Sequence, residues 1–446
     1  MANAEQLAYL KQRPDVWNKW RRLNPNVVPD LRDAGQPEAE LADAVLAGAD
    51  LRGADLSHAK FGSRNLAGTA LQESVLNDAD LSAVTGLQAA QLAGADLSGA
   101  QLPEYLANLF QDLGTAKAIS ENAQKLFVAM LAACLYSWLT IATTTDANLV
   151  TNRTSSPLPV IQTSIPIVAF YAVTPLLLLG VYLYFHFYLQ KLWEELGTLP
   201  AIFSDGRPLE TKADPWLLGD LVRSHVTKLR SGRPFLSYLQ QWVSILLAWW
   251  LTPITLLIFW ARYLRRHDLF GTIFHAVLTA ISVTAALYLY RLAAATLSGA
   301  ERRPFAWHSA LVDTRAYRPV FVALACAAVL AFVSLTAIHG APSGAHPTFM
   351  PRLMMTLGYS PFADLRATDL SVKPPNWTGK SESEYDLVKG IQLSGADLRY
   401  ADIESAFLAV GRPHRRPHGR SRSVSRRFAQ SRTCRSPLRK RGVAWC

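Results

Sequence analysis

Along the first quarter of the chain, large apolar side chains recur every five positions: Leu41, Leu46, Leu51, Leu56, Phe61, Leu66, Leu71, Leu76 and Leu81. The series slips by one residue and resumes at Leu87, Leu92, Leu97 and Leu102. Two positions before most of them stands a small residue, among them Ala49, Ala54, Ala59, Thr69, Ser74 and Ala79, then Thr85, Ala90, Ala95 and Ala100. The residue between is often Asp or Asn, as in Asp50, Asp55, Asn65, Asp80 and Asp96. A helix repeats every 3.6 residues and a strand every 2, so neither explains a period of five. A small and a large residue two apart both face inward, and the polar residue between them faces out. That pattern fits short extended pieces separated by turns. Two departures, Arg64 at a small-residue position and the extra residue at 84–86, predict a bulge or bent corner at each.

Before the repeats, Leu7, Leu10, Val16, Trp17, Trp20 and Leu23 predict a helix and a turn. The end of a stacked repeat exposes its core and needs a cap. Trp17 and Trp20, one helical turn apart, are the candidates; a lipid interface is the other use for such a pair. The stretch before Leu41 contains no apolar signal-peptide core.

From residue 124 the pattern changes to five apolar runs, 126–143, 165–185, 242–261, 271–290 and 320–338, each free of Asp, Glu, Lys and Arg. They are long enough to span a bilayer. Aromatic residues gather at their ends, including Tyr182, Tyr184 and Phe185 on the second and Trp260 and Tyr263 on the third. Pro166, Pro175 and Pro253 predict kinks or first turns. Loop charge orients the spans. Loop 144–164 has one basic residue, loop 189–241 has seven and loop 291–319 has five. The repeats and both basic loops are therefore expected in the cytoplasm. Arg262, Arg265 and Arg266 disagree, because five spans put them outside. Within the large loop, residues 216–230 read as a basic amphipathic helix, fit for the anionic leaflet or for a partner.

After the last run, residues 346–387 read as a linker. The period of five then returns at Val388, Leu393, Leu398, Ile403 and Leu408, with Ala396, Ala401 and Ala406 at small positions. It stops at Ala409, where an Arg-Pro-His-Ser tail begins. That tail reads either as a basic, disordered segment or as further repeats in a shifted reading frame. If all five runs cross, the two repeat segments emerge on opposite sides and cannot stack.

With 446 residues, 50% hydrophobic and 18% charged, the chain is too apolar to be disordered, and four cysteines exclude a disulfide scaffold. The net charge of +11 suggests nucleic acid, but residues 411–446 carry 12 basic and no acidic residues, leaving 33 basic against 34 acidic elsewhere. Nucleic acid is therefore not the expected partner. The first repeat segment, 38–102, is acidic, nine against three.

The Ala-Asp-Leu motif, clearest at Ala49-Asp50-Leu51 and Ala95-Asp96-Leu97, resembles the pentapeptide-repeat family, in particular its multi-span bacterial members. The resemblance implies a mixed fold: a right-handed quadrilateral β-helix (pentapeptide solenoid) with four repeats to each coil, plus an α-helical transmembrane bundle. Leu41, Phe61 and Leu81 then stack in one column. Some acidic members imitate DNA and bind a topoisomerase; a solvated surface explains the same charge.

The expected organisation is a capping region at 1–37, repeats at 38–102, a membrane domain at 103–345, a linker at 346–387, a short repeat segment at 388–409 and a basic tail at 410–446. His186 and His275, near the ends of runs, read as interfacial. His414 and His418 have metal-like spacing without a nearby acidic or cysteine partner. No phosphate loop, dinucleotide fingerprint, nucleophile elbow or His-Glu-x-x-His motif occurs. No catalytic residue, cofactor or metal is expected. The reading is a membrane-anchored scaffold in a bacterial inner membrane that offers its repeats to a protein partner. A small-solute channel or transporter and a topoisomerase-protecting DNA mimic are the alternatives.

Overall fold

The computed structural model describes residues 3–12, 14–27, 29–31, 46–111, 113–152, 155–157, 164–212, 235–297, 318–338 and 349–371, with short pieces at 373, 378, 388, 401–402, 406–409 and 443–445. Leu41, the amphipathic stretch 216–230, Leu393, Ala396, Leu398, Ile403, His414 and His418 lie outside these residues. Two compact units are formed. One comprises Met1–Ala129, Leu183–Trp250 and Leu287–Val312; the other comprises Met130–Tyr182, Leu251–Ala286 and Asp313–Cys446.

In the first unit the repeats wind into a coil. Parallel one-residue bridges join Asp50 to Ala70, Asp55 to Val75, Lys60 to Asp80 and Asn65 to Thr85, a constant separation of four repeats. Each contact is a reciprocal backbone pair: Leu51 N donates to Ala70 O (2.8 Å) and Ala70 N to Ala49 O (2.9 Å). The corners explain the period of five. The small residue's amide donates back to the preceding large residue's carbonyl, as Ala49 to Leu46, Ala54 to Leu51 and Ala79 to Leu76. The residue two after the large one takes a left-handed conformation: Gly48, Gly53, Gly68, Gly94 and Gly99, and also His58, Glu73 and Asp78. That is a type II turn, which favours glycine at its third position. The polar middle residue fixes the next corner. Asp55, Asp80 and Asp96 each accept the amide and hydroxyl of Ser57, Ser82 and Ser98, the hydroxyls at 2.7 Å. The Asp-Leu-Ser triplets are therefore turn chemistry.

Inside the coil, Leu46, Leu51, Leu56, Phe61, Leu66, Leu71, Leu76, Leu81, Leu92 and Leu97 are buried, none more than 1% exposed. Each contributes on the order of 1.5–3 kcal/mol. The slip is absorbed differently from the sequence expectation. Thr85 and Ala90, expected inside, are exposed, and Val84 and Gln91 are buried instead. A short 3-10 turn, Ala89–Leu92, takes up the extra residue, and the next bridges, Val75 to Asp96 and Asp80 to Gln101, are each one residue wider than those before. Gln91 is satisfied there: its amide donates to the carbonyls of Leu66 (2.8 Å) and Thr69 (2.6 Å) and its oxygen accepts from Gln88 N (2.6 Å). Arg64 is only half-buried, and its guanidinium donates to Phe61 O (2.5 Å).

The helices outside the coil are α1 (Ala4–Gln12), α2 (Pro14–Leu23), α3 (Glu104–Gln111), α4 (Gly114–Thr143), α5 (Asp146–Thr151), α6 (Ile167–Leu196), α7 (Leu209–Lys212), α8 (Phe235–Ile245), α9 (Leu251–Leu264), α10 (Leu269–Leu297), α11 (Arg318–Ile338) and α12 (Phe349–Thr356). Among the described residues, five segments are long and apolar enough to cross a membrane: Glu104–Thr143, Ile167–Leu196, Tyr238–Leu264, Leu269–Leu297 and Phe321–Ile338. Between α8 and α9 the helix widens into a π turn, Leu246–Trp250. Pro253 explains it, because the proline has no N–H and its ring crowds the carbonyl four residues earlier, at Trp249. Pro175 sits inside α6, and Pro166 immediately precedes it.

The second unit contains a second, smaller winding. Leu365 N donates to Asp402 O (2.8 Å) and Asp402 N to Ala363 O (3.0 Å), and Asp369 bridges Phe407 in parallel. Ala363, Leu365, Leu370, Ala401, Ala406 and Phe407 are buried. Residues 361–371, part of the expected linker, thus hydrogen-bond to the returning repeats. Phe407–Ala409 also pairs antiparallel with Val443–Trp445.

Candidate functional site

Both ends of the first coil are covered by other parts of the chain. At the leading end α2 lies over the opening. Trp17 is fully buried, and its indole N–H donates to Asp50 O (2.8 Å). Asn18 exchanges two bonds, donating to Gly48 O (3.0 Å) and accepting from Asp50 N (2.8 Å). Trp20 is half-buried and stacks on Trp17 (5.1 Å) and Tyr9 (6.1 Å). Asp30 adds a parallel bridge to Asp55.

The other end is closed by a segment from beyond α6, which the sequence places in the cytoplasmic loop. Ile202 bridges Asp96 in parallel. Leu97 N donates to Ile202 O (3.0 Å), Gly99 N to Ser204 O (3.1 Å), and Ala201 N to Ala95 O (2.8 Å). Ala201 and Phe203 are buried, and Phe203 meets Phe110 of α3 edge-on at 5.9 Å. Ala201-Ile202-Phe203 repeats the small–middle–large spacing once, which is the available signal. A single isolated copy sets up no period, so the sequence does not mark it as part of the coil.

What remains accessible on the coil is its sides. The bridges set residues in columns: Asp30, Asp55, Val75, Asp96 and Ile202 along one, Lys60, Asp80 and Gln101 along another. The hydroxyl and amide of Ser82 hold the Asp80 carboxyl below its ordinary value of 3.8.

In the second unit Asp146 is the centre of a buried polar cluster, with its side chain 5% exposed. It pairs with Arg262 and, at 3.3 Å, with Arg265. Arg262 also donates to Thr144 O, and Arg266, itself buried, to Leu149 O (2.7 Å). The three arginines that disturb the loop-charge count thus face a buried carboxylate and helix-end carbonyls. Asp364 N donates to the same carboxylate (2.8 Å), tying in the second winding.

His186 and His275, expected at the interface, are both buried, 2% exposed. In the first unit His186 Nε2 faces Ala248 O within the π turn (3.1 Å). In the second, His275 Nδ1 lies 2.6 Å from Gly271 O and Nε2 lies 2.9 Å from Tyr171 O. Carbonyls only accept, so the doubly protonated ring alone donates to both. The Tyr263 ring stacks on it at 4.8 Å. Among the described residues no group of three His, Cys, Asp or Glu side chains is placed to hold a metal.

Residues 37–62 match the family model described as pentapeptide repeats (8 copies). No curated protein and no solved structure matches the chain. Part of the chain is thus similar to pentapeptide repeats, and five helices among the described residues are long and apolar enough to cross a membrane.

Proposed function

We propose that the protein is a membrane-anchored scaffold. Its repeats form a right-handed, quadrilateral β-helix that presents a rigid side face to a protein partner in the cytoplasm, while five spans fix it in a bacterial inner membrane. The observation that carries this reading is the closure of both coil ends, by Trp17 and by Ala201-Ile202-Phe203. A coil closed at both ends has no edge left for stacking, so its sides are the surface on offer. The constant bridge separation of four repeats, a corner at every fifth position, and the family match over 37–62 support the β-helix. The basic loops 189–241 and 291–319 support the cytoplasmic side.

The test places a photo-crosslinking amino acid, one at a time, at Lys60, Asn65, Ala70 and Val75, which stand in four different columns. Crosslinking is done in intact cells. The reading expects one protein adduct, confined to one or two adjacent columns. Absence of any protein adduct from all four positions overturns it. Solute flux through liposomes holding the purified protein would favour a channel instead. Topoisomerase inhibition would favour the DNA mimic.

A further inference from the structure

The short helix α12, Phe349–Thr356, has two unlike faces. On one, Met354 packs on the cluster of Trp260, Leu264, Ala276, Ala337 and Ile338, which includes the last residues of α9 and α11. Tyr359, just beyond the helix, joins that cluster and donates its hydroxyl to Ala261 O. The helix stops at Gly358, which is left-handed (φ 81°) and returns its amide to Met355 O (3.0 Å). A neighbouring stripe carries Phe349, Leu353 and, just past the last helical residue, Leu357, spaced four apart and 76%, 41% and 78% exposed, while Pro351 on the opposite side is buried. At about 100° per residue these three fall within about 80° of one another. Arg352, also exposed, flanks them.

We infer that α12 is an interfacial helix, lying in the boundary between hydrocarbon and headgroups with Phe349, Leu353 and Leu357 in lipid and Arg352 against lipid phosphate. At about 12 Å the helix is too short to cross. Its inner face is fixed to span ends, which sets it at the depth where acyl chains give way to headgroups. The outward face of α11 is itself apolar and exposed, at Val329 (61%) and Phe332 (59%), so both elements offer apolar surface to lipid. An apolar stripe with a cation on its polar flank suits that boundary, where such helices sink about 5–10 Å. The helix thereby holds the second winding, which begins at Ala363, close to the membrane surface. The inference rests on the membrane reading above.

The test uses the full chain in phosphatidylcholine vesicles, in a background of Cys134→Ala, Cys326→Ala, Cys434→Ser and Cys446→Ser. A fluorophore is attached at Leu353→Cys or Leu357→Cys, and separately at Val329→Cys and Asp369→Cys. Quenching is compared between lipids brominated near the carbonyl and near the methyl end. The inference expects both α12 labels to be quenched more by the shallow bromine, Val329→Cys more by the deep one, and Asp369→Cys by neither. If the α12 labels are unquenched and react with an impermeant maleimide while Val329→Cys is quenched, the helix lies in water; the inference falls and the membrane reading stands. If they are unquenched and unreactive, a protein surface covers them, which also overturns it. If Val329→Cys is unquenched by both lipids, the membrane reading itself fails.

Discussion

The backbone N–H of Asp364 donates to the carboxylate of Asp146 at 2.8 Å, across 218 residues of sequence. The same carboxylate faces Arg262 and Arg265. One acidic side chain therefore serves as counter-ion at the end of α9 and as anchor for the second winding.

Asp146→Ala removes both roles. Breaking a buried pair by deleting one partner costs about 3–5 kcal/mol, because the remaining charge keeps its burial without its compensation. The variant is expected to lose hydrogen-exchange protection at Leu365 and Leu370, whose amides bond to Asp402 and Phe407, while Leu51 and Leu56 in the first coil keep theirs. Exchange mass spectrometry of the detergent-solubilised protein reads both. Unchanged protection at Leu365 would show that the second winding does not depend on this carboxylate.

Leu71→Asp places a charge in a fully buried site lined by apolar side chains. The expected cost exceeds about 3 kcal/mol, enough to unfold the coil. Asp55→Ala removes a half-buried carboxylate whose partners include Ser57 N and its hydroxyl, at a cost of about 1 kcal/mol. Thermal unfolding separates the two; equal melting temperatures for Leu71→Asp and the parent would contradict the coil.

Phe203→Ala tests the closure at the trailing end. The ring is buried, touches Phe110 and lies 4.3 Å from Lys212 Nζ. The expected loss is about 3–5 kcal/mol. Exposure should begin at that end: the amides of Leu97 and Gly99, which bond to Ile202 and Ser204, exchange faster, and Leu51 remains slow. Uniform loss of protection along the coil would mean that the segment 199–209 is not a local cap.

Acid should weaken the coil at the Asp80–Ser82 corner. Asp80 is held below its ordinary value of 3.8 by the Ser82 hydroxyl and amide, with Lys60 a smaller contribution. A carboxyl lowered in the folded state stabilises above its unfolded value and loses that stabilisation as pH falls through the folded one. The melting temperature is therefore expected to be flat from neutral pH to about pH 5 and to drop below about pH 4. In Asp80→Asn the drop should be smaller. A drop centred near pH 6 would assign the effect to histidine instead.

The repeat core is legible because large residues at five-residue spacing recur thirteen times, and so are the five long apolar helices, because charge is absent from each run. Ala363-Asp364-Leu365 and Thr368-Asp369-Leu370 carry the same motif in plain sight, but two copies between a span and a proline-rich stretch read as linker. Val84 and Gln91 are hidden for a different reason. An inserted residue can be taken up at any nearby corner, and the buried amide of Gln91 is acceptable only because the carbonyls of Leu66 and Thr69 happen to face it. The pairing of Asp146 with Arg262 joins residues 116 apart and leaves no local pattern. Likewise, the apolar runs place His186 and His275 near their ends, which reads as an interface, and leave no sign that each is buried against a carbonyl of another helix.

The most direct test of the membrane-anchored account is the sidedness of the two repeat segments. Five crossings are an odd number, so a reporter fused before Asn18 and one fused after Ala409 should report opposite sides of the membrane, the first in the cytoplasm. Both reporters on one side would remove one of the five helices from the membrane and contradict the account.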